Sequence, residues 1–347
     1  MRCGVETVHT IVVGRDAMAC RFEIVFNLID NDIATTIGAA ALDIIEYVEE
    51  QISVYRPSSE ISAINASSAQ IWIDLSPDLF QLLLLAKKIH TQTNKAFDIT
   101  AGPLIKAWGF LQRKGKTPTP EKLTKAFACC GMNNVEFHER ECKIRFRIPD
   151  VEINLGAIGK GWAIDKAVEL IELEGVENFL VHGGHSSVRS CGERGLTEQN
   201  TPSKGWPVGL RHPLLREKRI GTITLKNKAL GTSGSGTQFF IEKGRKIGHI
   251  LDPRSGQPAN SVLSATILAD TAAEADALAT AAYILGPRHI DQFAPDGSDV
   301  AAILVVQEDR TGRLTVILAN LDNDLFVPDL TTPGLLVIDA KDYSDSS

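Results

Sequence analysis

Glu152-Ile153-Asn154-Leu155 runs directly into Gly156-Ala157-Ile158-Gly159-Lys160-Gly161, and Trp162 to Leu173 follows with helical periodicity until Gly175. The first four residues predict a short strand, the glycines a tight turn, and the last segment a helix stopped by glycine. A strand, glycine turn and helix would mark a dinucleotide fold if the turn read G-x-G-x-x-G, or a P-loop if it read G-x-x-x-x-G-K-[ST]. It reads neither, because only three residues separate Gly156 from Lys160 and no Ser or Thr follows the lysine. Backbone amides there can still meet an anion, and equally the glycines can be a turn and nothing more.

The segments on either side do not restore a strict βαβ order. Thr7 to Val13 and Arg21 to Asn27 are dense in Val, Ile and Phe and predict a hairpin turning at Gly14 to Asp16. Asp32 to about Tyr55 is amphipathic at helical spacing, and Ser76-Pro77-Asp78 starts a second helix that runs to about Thr93. Phe179 to His182, Arg219 to Leu225 and Val262 to Leu268 read as strands, and Val300 to Val306 with Leu314 to Leu318 as a late hairpin. The expectation is an α+β fold, a mixed α/β single large domain over residues 1–330 and not a Rossmann fold. A polar tail, 331–347, is expected to fray.

Composition limits the function classes. The 347 residues are 44% hydrophobic and 23% charged, an ordinary globular balance. A net charge of −7 without a block of clustered bases argues against nucleic acid as a partner, and no apolar run approaches the length of a membrane span. The six cysteines lack C-x-x-C spacing, which disfavours a zinc cage or a disulfide framework. Met1 to Thr10 has no apolar run of a signal peptide, and nothing before Cys3 makes it a lipoprotein acceptor. The expectation is a cytoplasmic protein, or an exported one whose leader has been removed.

Two further constellations could carry chemistry, and two glycine–serine runs can be tested against a known pattern. Thr271-Ala272-Ala273-Glu274 has the form of a capping box, and on the helix that follows Asp276 and Thr280 share a face, opposite Leu278, Ala281, Ala282 and Leu285. A carboxylate and a hydroxyl one turn apart suit a hard cation, although the same spacing describes a solvated polar face. His249 precedes the turn Asp252-Pro253-Arg254-Ser255-Gly256 and could act as a base, with His182 and His185 competing for that role. Gly231-Thr232-Ser233-Gly234-Ser235 fails the G-x-S-x-G pattern of a hydrolase elbow, as does Gly183-Gly184-His185-Ser186-Ser187.

Taken together and in order, six segments resemble the FAD:protein FMN transferase family, the ApbE proteins. They are Ile52 to Ser62 with Asn65; Ala96-Phe97-Asp98-Ile99-Thr100 through to Trp108-Gly109-Phe110; Asn154 to Gly161; Gly183-Gly184; Thr232-Ser233-Gly234; and His249 to Gly256 followed by Ala275 to Ala281. The resemblance covers about Thr10 to Leu318 and implies an ApbE-like, T-fold-related domain. It implies transfer of the FMN half of FAD to a Ser or Thr hydroxyl of an acceptor flavoprotein, with release of AMP. By the same resemblance Asp276, Thr280 and the carbonyl of Ala157 would hold Mg²⁺. Met18, Tyr55, Ala96, Phe97, Asp98, Asn154, Lys160 and Ile250 would bind FAD, and His249 would serve as base.

Several positions depart from the family pattern. Met18-Ala19-Cys20 stands where Met-Gly-Thr is usual, Asn154 where aspartate is common, His185 where an acidic or amide residue is frequent, and Ser235-Gly236 in place of acidic and aromatic residues. None removes an implied metal ligand. The same ligands would serve water as well as a protein hydroxyl, so hydrolysis of FAD to FMN and AMP is the alternative reaction. A flavin-binding protein without catalysis is the third reading.

Overall fold

The structure is a computed structural model, and it describes residues 10–343 apart from 28–30, 113, 196–203, 216, 235, 237, 309–310, 323, 330 and 332–333. The N-terminal segment read for a leader, the start of the first predicted strand and Ser235 therefore lie outside the described residues.

Numbered along the chain, nine strands form the central sheet in the order β1 (Thr10–Ala17), β2 (Cys20–Asn27), β6 (Phe179–Gly183), β7 (Ser187–Cys191), β10 (Ala229–Gly234), β15 (Ser264–Ala269), β16 (Ala301–Gln307), β17 (Leu314–Ala319) and β19 (Leu336–Asp339). Neighbours are antiparallel except β17 and β19. A three-stranded sheet, β18 (Phe326–Pro328), β9 (Arg219–Leu225) and β8 (Trp206–Arg211), covers one face. The helices α1 (Asn31–Ile52), α3 (Pro77–Gln92), α6 (Gly159–Leu173) and α7 (Ala272–Leu285) lie in the core on the other. Shorter elements complete the chain: α2 (Glu60–Asn65), α4 (Gly102–Ala107), α5 (Pro120–Ala128), the sheet β3 (Ile73–Asp74), β5 (Lys143–Phe146) and β4 (Val135–His138), and the pairs β11 (Phe239–Glu242) with β12 (Arg245–Gly248) and β13 (Leu251–Asp252) with β14 (Gln257–Pro258).

Strand alternation explains the layers. Phe179 and Val181 enter the core with the helices while Leu180 enters the core beneath β8 and β9. Ala302 and Leu304 likewise face the helices, and Ala301, Ile303 and Val305 face the small sheet. Both faces of the large sheet are covered, so its strands read as apolar runs in which alternation is hidden.

Three sequence expectations are corrected. The first hairpin turns at Met18-Ala19, not at Gly14 to Asp16, because pairing continues without a break to Ala17 opposite Cys20. Met18 and Ala19 take φ of 48° and 57°, the left-handed conformation that a two-residue hairpin turn requires. Glu152 to Leu155 forms no strand: Ile153 gives its N–H to Asn65 Oδ1 at 2.8 Å and takes Asn65 Nδ2 at 2.9 Å on its carbonyl, so a side chain replaces the ladder. Of the tail 331–347, residues 332–333 and 344–347 lie outside the described residues, and within the described part Leu336–Asp339 does not fray but adds a parallel strand to β17.

Helix α7 decides where the site lies. Twelve of its fourteen residues are buried, and the abundance of alanine lets neighbours come close on every side. A Cβ at Gly161 of α6 would stand 2.0 Å from the carbonyl oxygen of Ala272, and one at Gly231 of β10 would stand 2.4 Å from the carbonyl carbon of Ala275. Asp165 of α6 then reaches the start of α7, accepting from the amides of Ala272 at 2.8 Å and Ala273 at 2.9 Å, while Arg189 of β7 pairs with it at 2.5 Å. Thr271 accepts from the Glu274 amide, as the capping box predicts. Three donors that a helix start leaves open are thus satisfied.

Because no side chain fits at the α6–α7 crossing, Gly161→Ala should lower unfolding free energy by at least about 2 kcal/mol. Gly236→Ala, where nothing lies within 4 Å, should stay within about 0.5 kcal/mol. Denaturant midpoints of the two variants check this.

Candidate active site

The α6–α7 crossing places the carboxylate of Asp276 inside the protein, with 6% of the residue exposed. The Gly161 amide donates to its Oδ2 at 2.9 Å, the Ser187 hydroxyl lies 2.7 Å from Oδ1, and Lys160 Nζ stands 3.7 Å from Oδ2. Lys160 also donates to Ser186 Oγ at 3.0 Å and Ser187 Oγ at 3.1 Å. Burial pushes the Asp276 carboxyl above its ordinary value, against Lys160, Ser187 and Gly161, which favour the ionised form. The solvated polar face that the i, i+4 spacing also allowed is therefore absent: Asp276 is a core carboxylate. Thr280, one turn on, lies 3.1 Å from Ser233 Oγ of β10.

His249 approaches the same space from the loop after β12. Its Nδ1 is 3.0 Å from the carbonyl of Gln238, which can only accept, so in the neutral ring Nδ1 carries the proton and Nε2 keeps its lone pair. Burial pushes its pKa below the ordinary imidazole value; the bond to Gln238 opposes this and the charge of Lys160 adds to it. The ring meets Phe110 edge-on at 6.4 Å, and Gln238 is itself anchored by its side chain to the Phe110 carbonyl at 2.8 Å.

These groups open on one cavity of about 920 Å³. Its lining includes each of the positions that the family resemblance implies for the site: Met18, Tyr55, Ala96, Phe97, Asp98, Asn154, Ala157, Lys160, His249, Ile250, Asp276 and Thr280. Tyr55, 70% exposed, stands at the mouth, and Ala96 and Phe97 are buried in the wall. Asp98 accepts from the Thr100 amide at 2.7 Å and its hydroxyl at 2.6 Å, which fixes its orientation. Asn154 Oδ1 accepts from the Gly156 amide at 2.9 Å, so the departure from aspartate is spent partly on the turn before α6.

Two competing histidines are drawn elsewhere and do not line the cavity. His182 Nε2 pairs with Glu23 at 3.1 Å, and His185 Nε2 lies 3.2 Å from Arg211. Sequence reasoning missed Ser187 and Gln238. Ser187 lies 89 residues from the carboxylate it contacts, and Gln238 acts partly through its backbone carbonyl, so neither has a motif to betray it.

A divalent cation can be tested against the donors present. The Asp276 carboxylate, Thr280 hydroxyl and Ala157 carbonyl are hard oxygen donors among the residues lining the cavity, and among the described residues the cation paired with the buried Asp276 is Lys160, at 3.7 Å. Among the described residues no cluster of three His, Cys, Asp or Glu could close a cage of its own. This set fits Mg²⁺, which keeps waters and borrows phosphate oxygens, better than a softer metal.

Comparison with known proteins gives one consistent result. A model of the ApbE family matches residues 18–304. An FAD:protein FMN transferase of Haemophilus influenzae is 29% identical over 275 residues, 77% of either chain, and one of Klebsiella pneumoniae is 30% identical over 264 residues, 74% of this chain and 73% of that one. The flavin transferase ApbE from Vibrio cholerae superposes with a TM-score of 0.76 at 23% identity, covering 90% of this chain and 98% of that chain. The ApbE protein from Thermotoga maritima gives 0.77 at 27% identity, covering 88% and 96%.

The lowered pKa of His249 has a signed consequence for stability. A group depressed in the folded state contributes stability above its unfolded value, about 6.5, which is lost as pH falls through the folded value. Between pH 7.5 and 5.5 the unfolding free energy of the parent protein should fall by more than that of His249→Gln; equal losses in urea titrations would contradict this burial.

Proposed function

The chain belongs to the ApbE family, and from that premise we propose that it is an FAD:protein FMN transferase, moving FMN from FAD to a Ser or Thr hydroxyl of an acceptor flavoprotein with release of AMP. One observation carries the reading: a buried carboxylate, a lysine and a histidine whose Nε2 keeps its lone pair in the neutral ring converge on one cavity that also has aromatic residues in its lining.

In this reading the acceptor oxygen attacks the phosphorus on the FMN side of the pyrophosphate. A phosphorus–oxygen bond forms, the bond to the AMP oxygen breaks, and AMP leaves with that electron pair. His249 Nε2 takes the hydroxyl proton, for which its pKa, held below the ordinary imidazole value, keeps it unprotonated at neutral pH. Lys160 brings positive charge to the pyrophosphate, while Ser186 and Ser187 hold its ammonium in place. Tyr55 offers aromatic surface to the flavin or adenine, while Phe97 forms part of the wall from within the core. Mg²⁺ bound by Asp276, Thr280 and the Ala157 carbonyl would neutralise charge on the phosphate oxygens.

Ser187 and Gly161 serve this reading by orientation. They fill one side of the Asp276 carboxylate and keep it aimed at the cavity. The raised pKa of Asp276 marks an ionised form that is costly without cations nearby, a site built for a positive ion and an anionic substrate together.

Purified protein incubated with FAD, Mg²⁺ and a cognate acceptor domain should yield acceptor heavier by one FMN, with AMP in equal amount. Release of FMN and AMP at the same rate without acceptor would replace transfer by hydrolysis, and FAD binding with neither product would leave a passive binder. Asp276→Ala should lower turnover by at least about 100-fold, as expected for loss of a ligand to the cation that would stabilise the charged transition-state oxygens. The acid limb of the rate profile should lie below pH 6.5 and vanish in His249→Gln, whose residual rate should be flat; an unchanged limb would remove His249 from the role of base.

A further inference from the structure

Between Gln238 and His249 the chain leaves the cavity wall, runs out along β11 and returns along β12. The register pairs Phe239 with Gly248, Phe240 with Ile247 and Ile241 with Lys246. Phe240 and Ile247 pack inward on the cluster of Trp108 and Phe110, so alternation turns Phe239 and Ile241 to the other face. There they remain 41% and 70% exposed, with the Lys246 ammonium 4.5 Å over the Phe239 ring. Among the described residues β11 and β12 pair only with each other, which leaves both outer edges open.

The same hairpin concentrates positive charge. Lys243, Arg245 and Lys246 are exposed, and none has an ion pair among the described residues. Lys114 and Lys116 are exposed in the loop beneath, which meets the hairpin where Gly115 contacts Phe240 and Thr117 bonds Glu242. Five bases therefore gather beside the cavity of a chain whose net charge is −7.

The geometry points to this hairpin as the docking surface for the acceptor protein, specifically for an acidic, extended segment that carries the reacting hydroxyl. The inference rests on the transferase reading, in which a protein hydroxyl must reach His249, the residue that directly follows β12. Acidic side chains meet Lys243, Arg245 and Lys246, apolar ones cover Phe239 and Ile241, and the open edge offers backbone hydrogen bonds. A flavin dinucleotide does not need this surface, because its phosphates are met inside the cavity at Lys160.

A fluorescent peptide of alternating Asp, Glu and Val around one Thr provides the probe, with Lys replacing the acids in its counterpart. Anisotropy should show salt-sensitive binding of the acidic peptide to the parent protein, weakened at least about tenfold in K243E/R245E/K246E and also weakened in Ile241→Asp. The basic peptide should not bind, and vesicles containing phosphatidylserine should not sediment the protein. FAD binding, read by flavin fluorescence, should be equal in all three proteins and serves as the folding control. Unchanged peptide binding in the triple variant, or sedimentation with the vesicles in place of peptide binding, overturns the docking surface. Failure of the parent protein to bind FAD would instead sink the transferase reading, leaving peptide binding to judge the hairpin.

Discussion

Helix α7 touches α6 and β10 at distances that only glycine permits on the facing side. Gly161 and Gly231 let backbone meet backbone, and nearly everything else at the site follows from that contact. It carries the Asp276 side chain into the interior beside the Gly161 amide and Ser187. It also brings Asp165 onto the first amides of α7, with Arg189 as counter-ion, so three elements are tied at one point. Burial raises the pKa of both aspartates, and each is held by several donors. Such a carboxylate is costly to desolvate and correspondingly well oriented, which is the trade that a preorganised charged site makes.

The acidity of the chain then acquires a spatial meaning. A net charge of −7 gives no long-range attraction for an anionic substrate, so positive charge has to be local. Two such concentrations flank His249 among the described residues. Lys160 stands inside the cavity beside Asp276, and the hairpin from Phe239 to Gly248 with its supporting loop gathers exposed bases outside it. His249 sits between the two, at the end of the hairpin and on the cavity wall.

Much of the fold was legible because its signals are local. The Thr271 cap, the proline start of α3, the periodicity of α1 and the late hairpin all depend on neighbours within a few residues. Errors arose where a distant partner overrode local preference. Asn65 captured the backbone of Ile153, which therefore pairs with a side chain and not with a strand. Leu336–Asp339 gained order only because β17 offered a free edge. The first hairpin turned at Met18-Ala19 against the residues' own conformational preference, since the register of β1 on β2 continued past the glycine.

The site divides along the same line. Residue types and their order in the chain determined which groups could act: the carboxylate and hydroxyl of Asp276 and Thr280, the lysine after the glycine turn, and the histidine before Asp252-Pro253. Those signals are chemical, and a side chain keeps its donors and charge wherever it lies. Only the tertiary structure decided that His249 lines the cavity while His182 and His185 turn to Glu23 and Arg211, and that Asp276 is buried and not solvated. It alone brought Ser187 to Asp276 across 89 residues. Burial and long-range contact are properties of the packed chain, and no short window of sequence contains them.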